Sequence, residues 1–200
     1  MDALRWGVAP THELGAVVHG PVVLGRVGDQ TAVDGVAVGL RCVVAHPSGL
    51  RLTLVVVAGG VYGDAAWRQR EGYGARLARL GDPAPAFGGR SPDGDDLDGR
   101  AEDDAGWSEL SLVAELDGRA VTVSSQGESS SAGPERYEQE TVYWIEPLPA
   151  SETIRLTVAW PKIGLAPAAT TLHLPGLAAA AATTITLLPD PVSGPDQPAG

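Results

Sequence analysis

One stretch decides the fold: residues 36–56, with the sequence VAVGLRCVVAHPSGLRLTLVV. Apolar residues occupy every second position on both sides of its centre: Val36, Val38, Leu40, Cys42 and Val44, then Leu50, Leu52, Leu54 and Val56. Such alternation is typical of a strand with one buried face. Between the two runs, Pro47 restricts its own φ and Gly49 permits a positive φ, which suits a tight turn. The stretch therefore predicts a β-hairpin.

Further strands with the same period follow toward the C-terminus. Residues 110–116 and 120–124 flank Asp117-Gly118, a dipeptide that favours two-residue hairpin turns. Residues 140–145 and 154–160 alternate on either side of a proline-rich break, and we expect them to form a third pair. Short strands at this spacing predict an all-β fold, namely an antiparallel β-sandwich of jelly-roll or immunoglobulin-like type with one or two short helices.

Apolar residues that share a phase along these strands predict the core. We expect five sets to converge on one interior: Val38/Leu40/Cys42, Leu52/Leu54/Val56, Leu112/Ala114/Leu116, Val142/Trp144 and Leu156/Val158/Trp160. Nearer the N-terminus, residues 16–24 also alternate but are interrupted by Gly20-Pro21. Because proline cannot donate a ladder hydrogen bond, this segment is expected to be a bent strand or a strand at a sheet edge.

The segments between the strands differ in composition. Residues 64–80 fit a helix with Asp64 as N-cap, but Gly72 and Gly74 disfavour a helix, so a strand or a loop stays open. The alanines of residues 178–182 favour a short helix. Segments rich in Gly, Pro, Ser or acidic residues predict an exposed acidic loop at 81–106, a mobile loop at 124–134 and a disordered tail at 189–200. One domain is expected over residues 1–188.

Acidic residues dominate the charge balance. Asp and Glu number 25 against 14 Lys and Arg, for a formal net charge of −11. A nucleic-acid-binding surface needs Lys and Arg to displace counterions from phosphates, and a negative field repels nucleic acid and anionic lipid alike. We therefore expect neither a nucleic-acid partner nor insertion into a membrane. The single cysteine, Cys42, has no partner for an internal disulfide, and no secretory signal pattern is visible, so a cytoplasmic location is expected.

Three features of the C-terminal half occur together. They are the Leu-Asp-Gly-Arg turn at 116–119, the Trp-Ile-Glu-Pro-Leu-Pro strand end at 144–149, and a strand at 156–160 that ends in Trp-Pro before Gly164. In these features, residues 107–182 resemble a family of uncharacterised actinobacterial proteins. The resemblance implies a β-sandwich fold and transfers no catalytic residue, because the family has no assigned activity. An actinobacterial source also fits the preference for Arg over Lys, since Lys162 is the only lysine.

The densest cluster of acids lies at residues 93–104, where seven carboxylates accompany one arginine. Carboxylates interleaved with glycine suit Ca²⁺, which takes six to eight oxygen ligands. The spacing departs from that of an EF-hand loop, and a solvated acidic loop is the simpler interpretation. No cofactor or metal is therefore assigned, and the residues that stay as weak calcium candidates are Asp93, Asp95, Asp96 and Asp98.

Tryptophans near carboxylates form the other candidate site. Trp107, Trp144 and Trp160 fit core packing, with a carbohydrate platform as the alternative. Strict alternation places Glu140 on the same face as Trp144. The strand therefore either enters the sheet only near Thr141, or directs a carboxylate at a partly buried pocket.

Function is constrained mainly by what the sequence lacks. No motif for nucleophilic catalysis, metal-assisted hydrolysis or nucleotide binding occurs, so no catalytic residue is assigned. The leading hypothesis is a non-catalytic bacterial protein that binds a protein partner or self-associates, with the edge strand at residues 17–24 as one contact. The alternative is a carbohydrate-binding module or a glycoside hydrolase-like enzyme with a cleft near Trp144 and Glu140.

Overall fold

The computed structural model describes Pro10 and residues 13–28, 34–81, 110–133 and 136–187, without the side chains of residues 72–81. Antiparallel strands dominate this part of the chain, which confirms the predicted all-β class. The elements, in chain order, are β1 (Glu13–Leu14), β2 (Ala16–His19), β3 (Val22–Val27), β4 (Gly35–His46), β5 (Gly49–Gly59), α1 (Gly60–Gly81), β6 (Ser111–Leu116), β7 (Arg119–Val121), β8 (Val123–Gly133), β9 (Arg136–Ile145), β10 (Thr153–Trp160), a 3₁₀ turn (Pro161–Ile163), β11 (Leu165–His173), α2 (Leu177–Ala181) and β12 (Ile185–Thr186).

The larger sheet has six strands and is built around the predicted hairpin. Strands β4 and β5 pair over their full length, from Gly35 opposite Gly59 to His46 opposite Gly49. The sheet order is β2-β4-β5-β9-β8, and β3 also pairs with β4 alongside β2. Strands β2 and β3 thus lie at one edge, as the interruption at Gly20-Pro21 predicted.

The smaller sheet has four strands in the order β11-β10-β6-β7. Its β6–β7 hairpin turns at Asp117 and Gly118, whose φ angles of 51° and 76° suit a two-residue turn with positive φ at both positions. The Asp117 carboxylate accepts the backbone N–H groups of Ala150 and Ser151 at 3.0 and 2.9 Å. This turn is therefore tied to the connection between β9 and β10.

The third predicted pair does not form. Strand β9 pairs with β5 and β8 in the larger sheet, whereas β10 pairs with β6 and β11 in the smaller one. The return strand of the second hairpin is also shorter than expected, because β7 ends at Val121 and the chain enters the larger sheet as β8 at Val123. From β7 to β10 the chain thus crosses from the smaller sheet to the larger one and back.

A β-bulge in β4 changes which residues reach the core. The register between β4 and β5 shifts between Leu40 and Cys42, with Arg41 as the extra residue. A bulge of one residue reverses the phase of every side chain that follows it. Val43 and Ala45 are therefore fully buried in the core, and Cys42, which was predicted to lie there, is only partly buried and outside it.

Strand β9 faces the core with the opposite phase from the one predicted. Tyr137 and Ile145 belong to the core cluster, and Val142 and Trp144 do not. Trp144 is nonetheless buried, with 1% of its surface exposed, because it is covered on the other face of the sheet. The expectation that Val142 and Trp144 join the common interior is therefore wrong.

The segment at 124–134, predicted as a mobile loop, is mostly strand β8. It pairs with β9 from Val123 opposite Ile145 to Gly133 opposite Arg136, with one register shift near Gln126. Serine and glycine have low strand propensity, but hydrogen-bonded pairing with a long neighbouring strand outweighs it here. Composition alone therefore predicts a loop here, whereas pairing with β9 makes this segment a strand.

Residues 64–80, for which the sequence does not decide between helix, strand and loop, belong to helix α1. It runs over 22 residues from Gly60, so it is not a short helix, and Asp64 lies inside it rather than at its N-cap. Ala66 is completely buried in the core cluster, which anchors the helix despite its glycines. The second helix, α2, confirms the prediction at 178–182. The acidic loop beyond Gly81 and the tail at 189–200 lie outside the described residues.

One hydrophobic cluster joins the two sheets. It includes Leu40 and Leu54 from the larger sheet and Leu156 and Val158 from the smaller one. Gly25 in β3 shows how closely they approach, because a Cβ added there would lie 3.2 Å from a methyl group of Val158. Among the described residues, no helix is both long and apolar enough to cross a membrane.

Candidate functional site

A cavity of about 340 Å³ opens beside helix α1, next to the inner face of the β8–β9 hairpin. Its volume lies within the range of sites that bind small molecules. Five elements supply its wall: Gln69 and Arg70 from α1, Leu110 just before β6, Val123, Ser125 and Glu128 from β8, Tyr137, Gln139, Thr141 and Tyr143 from β9, and Trp160 from the end of β10. We refer to this cavity as the helix pocket.

Strand β9 lines the helix pocket with a row of hydrogen-bonded side chains. Tyr137, Gln139 and Thr141 occupy alternate positions and therefore point to the same side of the sheet. The Tyr137 hydroxyl donates to Gln139 Oε1 at 2.6 Å, and Gln139 Nε2 donates to Thr141 Oγ1 at 3.1 Å. Each bond holds the next side chain in place, so the polar wall is ordered before any ligand arrives.

Helix α1 supplies the facing wall through two consecutive residues. Trp160 Nε1 donates to Gln69 Oε1 at 2.9 Å, which ties the helix to the end of β10. The neighbouring Arg70 forms an ion pair with Glu128 of β8. The two charges in the lining therefore offset each other, and the helix pocket combines neutral hydrogen-bonding groups with aromatic rings.

Of the predicted site residues that the structure describes, only Trp160 lines the helix pocket. Glu140 lies on the opposite face of β9, where its carboxylate pairs with Arg41 at 2.9 Å. Glu138 shares that face and pairs with Arg136. Within the described residues, therefore, the carboxylates of β9 are engaged by arginines and do not face the helix pocket.

Trp144 also lies on that opposite face, in a buried contact of its own. Its ring meets His46 edge to face at 5.5 Å between centroids, and its Nε1 donates to Glu146 Oε1 at 2.8 Å. Trp144 is thus a packing residue here and does not line the helix pocket. Trp107 and the calcium candidates Asp93, Asp95, Asp96 and Asp98 lie outside the described residues.

His46 is almost completely buried, with 1% of its surface exposed. Its Nδ1 lies 3.4 Å from Glu13 Oε2, and its buried Nε2 has no hydrogen-bond partner among the described residues. Burial lowers the pKa of His46 below its ordinary value of 6.5, and the hydrogen bond with Glu13 opposes this shift. The imidazole is therefore neutral at pH 7 and serves the packing around Trp144.

Among the described residues, no group of three His, Cys, Asp or Glu side chains lies close enough together to hold a metal ion.

Comparisons with protein-family models, with curated proteins and with solved structures find no match. The resemblance of residues 107–182 to actinobacterial proteins therefore stays a prediction.

The sequence interpretation missed most residues of the helix pocket. Tyr137, Gln139, Thr141 and Tyr143 alternate with Glu138 and Glu140, so both faces of β9 carry polar groups and the usual contrast between faces is absent. The available signal was chemical: aromatic, amide and hydroxyl groups occupy one phase and carboxylates the other. Carboxylates are rarely buried without partners, which favours the odd-numbered residues for the inner face.

Proposed function

We propose that this is a non-catalytic binding protein whose helix pocket holds a small, uncharged polar molecule. The observation that carries the proposal is the ordered row from Tyr137 through Gln139 to Thr141, which lines a concave site with hydrogen-bonding groups already in place. Specific ligand sites typically combine a few positioned polar groups with aromatic and apolar walls. The described residues of the lining include no histidine or cysteine, and their one carboxylate, Glu128, is engaged by Arg70.

The same proposal includes a β-sandwich arrangement of the two sheets. It is supported by the single core cluster that both sheets share and by the close approach of Gly25 to Val158. In such an arrangement, helix α1 covers one end of the interior, because Ala66 lies in the core while Gln69 and Arg70 face the helix pocket. The ligand site would then be at the rim of the sandwich.

The first test measures thermal stabilisation by a panel of monosaccharides, amino acids, carboxylic acids and amines at millimolar concentration. A ligand that binds only the folded state raises the melting temperature, and at about 100 times its Kd it adds about 2.7 kcal/mol to the free energy of unfolding. We expect at least one uncharged compound to stabilise the protein. Ser125→Phe should abolish this stabilisation, because Ser125 lines the helix pocket from an exposed position.

The matched control is Ser129→Phe on the same strand. Ser129 is exposed and pairs opposite Glu140, so its side chain lies on the other face of the sheet, and the variant should keep the stabilisation. The proposal is wrong if no compound stabilises the wild-type protein, or if Ser125→Phe and Ser129→Phe respond equally.

Self-association is a second candidate function, and exposed apolar side chains favour it. Leu14 and Ile185 lie directly opposite each other in β1 and β12, and 54% and 62% of their surfaces are exposed. Val17 and Val23 of the predicted edge are exposed as well. Adjacent exposed apolar side chains such as Leu14 and Ile185 are typical of protein contacts, and we propose a second copy of this chain as the partner.

Light scattering over a dilution series tests self-association. We expect a dimer that Ile185→Lys converts to a monomer, whereas Val61→Lys, a matched change at an exposed valine of α1, leaves the dimer intact. A wild-type monomer at high micromolar concentration in both low and high salt would exclude the second copy as partner.

A further inference from the structure

The orientation of Gln69 is fixed by its partner. An indole N–H only donates hydrogen bonds, so Trp160 Nε1 requires an acceptor, and Gln69 Oε1 fills this role at 2.9 Å. The amide nitrogen of Gln69 must then point away from the indole. Gln69 thus adds two N–H donors to the lining of the helix pocket, neither of which is used by a described residue.

The row of side chains on β9 also has hydrogen-bond donors that its own residues do not use. Because Thr141 Oγ1 accepts from Gln139 Nε2, the hydroxyl hydrogen of Thr141 stays available for donation. Gln139 accepts from Tyr137 through Oε1 and uses one of its two amide hydrogens on Thr141, which leaves the second. Thr141 is almost fully buried, and a buried donor without an acceptor is unfavourable. Among the described lining residues, Gln69, Gln139 and Thr141 therefore hold hydrogen-bond donors that no described residue accepts.

The charges of the lining select against ionic ligands. Arg70 and Glu128 pair with each other at the wall, so neither offers a free charge to a bound molecule. A charged ligand would lose its hydration without gaining an opposite charge, which is costly in a partly enclosed site. The aromatic rings of Tyr143 and Trp160 instead provide apolar surface for a carbon skeleton.

From these observations we infer that the helix pocket binds an uncharged molecule of about monosaccharide size that is rich in oxygen acceptors, such as a sugar carrying a carbonyl substituent. This inference rests on the proposed function and names the ligand class of the same site. Acceptor oxygens of the ligand would receive the free hydrogens of Gln69, Gln139 and Thr141. Its ring would lie against the aromatic surface.

Three probes that share the same type of sugar ring but differ in charge test the ligand class by calorimetry. N-acetylglucosamine is neutral and carries an acetamide carbonyl, protonated glucosamine presents a cationic donor, and glucuronate is an anion. We expect N-acetylglucosamine to bind at least about tenfold more tightly than either charged probe, which corresponds to about 1.4 kcal/mol.

Gln69→Glu is the decisive variant, because it keeps an oxygen for the Trp160 indole and replaces the free amide donors with an anionic acceptor. We expect it to lose about tenfold in affinity for N-acetylglucosamine and to gain affinity for protonated glucosamine. Thr141→Val removes the hydroxyl donor and also the acceptor that positions Gln139, with little change of shape, and should weaken the binding of N-acetylglucosamine. Glu71→Gln, an exposed change on the same helix, is the control and should leave all three affinities unchanged.

The outcomes separate the ligand class from the proposed function. Preference for N-acetylglucosamine that reverses in Gln69→Glu supports the inference. Tighter binding of glucosamine or glucuronate, or binding only of a panel compound without acceptor oxygens, overturns the ligand class while the helix pocket stays a binding site. Failure of every panel compound and all three sugars overturns the proposed function together with the inference.

Discussion

Trp144→Ala is expected to lower the free energy of unfolding by about 3–5 kcal/mol, the usual cost of removing a large buried aromatic side chain. Trp144 is 1% exposed, so the change creates a cavity between β9 and the end of β4. It also removes the ring contact with His46 and the hydrogen bond to Glu146. Urea denaturation followed by circular dichroism measures the loss, which approaches the whole stability of many small domains.

Trp144→Phe is the matched control, because it keeps an aromatic ring against His46 and removes only the indole N–H and part of the volume. It should cost distinctly less than the alanine variant. A near-neutral Trp144→Ala with intact folding would show that Trp144 is a surface residue, and would return it to the list of ligand contacts.

Gly15→Ala should also destabilise the protein strongly, by about 3 kcal/mol, at the upper end of the usual cost of overpacking. A Cβ added at Gly15 would lie 2.3 Å from the carbonyl oxygen of Ala45 and 2.7 Å from His46 Nε2. The carbonyl belongs to the backbone of β4, so the clash cannot be relieved by rotating a side chain. Chemical denaturation of the purified variant measures the effect.

Gly20→Ala provides the comparison five residues away. Nothing lies within 4 Å of a Cβ added at Gly20, and an exposed substitution of this kind usually changes stability by less than about 0.5 kcal/mol. Equal stability of the two variants would mean that β1–β2 does not pack against the end of β4 as described.

The hairpins could be predicted because their information is local. Alternation in β4 and β5 and the Asp117-Gly118 turn need only a few consecutive residues, and both predictions are confirmed. Local alternation does not predict which face of the sheet the side chains occupy further along a strand. Arg41 inserts one residue into β4, and nothing in the surrounding apolar run marks it as the bulge. Cys42 was therefore placed in the core in error.

The helix pocket is formed by contacts between residues that are far apart in the sequence, and local patterns do not predict such contacts. Gln69 and Trp160 are separated by 91 positions and meet only because α1 packs against the core through Ala66. The residue type alone predicts Trp160 as a candidate ligand contact. Gln69, by contrast, lies in a segment for which the sequence does not decide between helix, strand and loop. The cleft near Trp144 and Glu140 was predicted on a face of β9 where the tryptophan is buried and the carboxylate pairs with Arg41.

Nuclear magnetic resonance of the ¹⁵N-labelled protein tests the central claim most directly, because two indole N–H reporters lie on different sides of β9. Trp144 belongs to the face of β9 away from the helix pocket, and Trp160, at the end of β10, lies beside the pocket-lining face of β9. During titration with the panel compound that stabilises the protein most, the Trp160 indole and the Gln69 side-chain amide should shift together and saturate at the same concentration, while the Trp144 indole stays in place. A saturating shift of the Trp144 indole with no change at Trp160 and Gln69 would contradict the account.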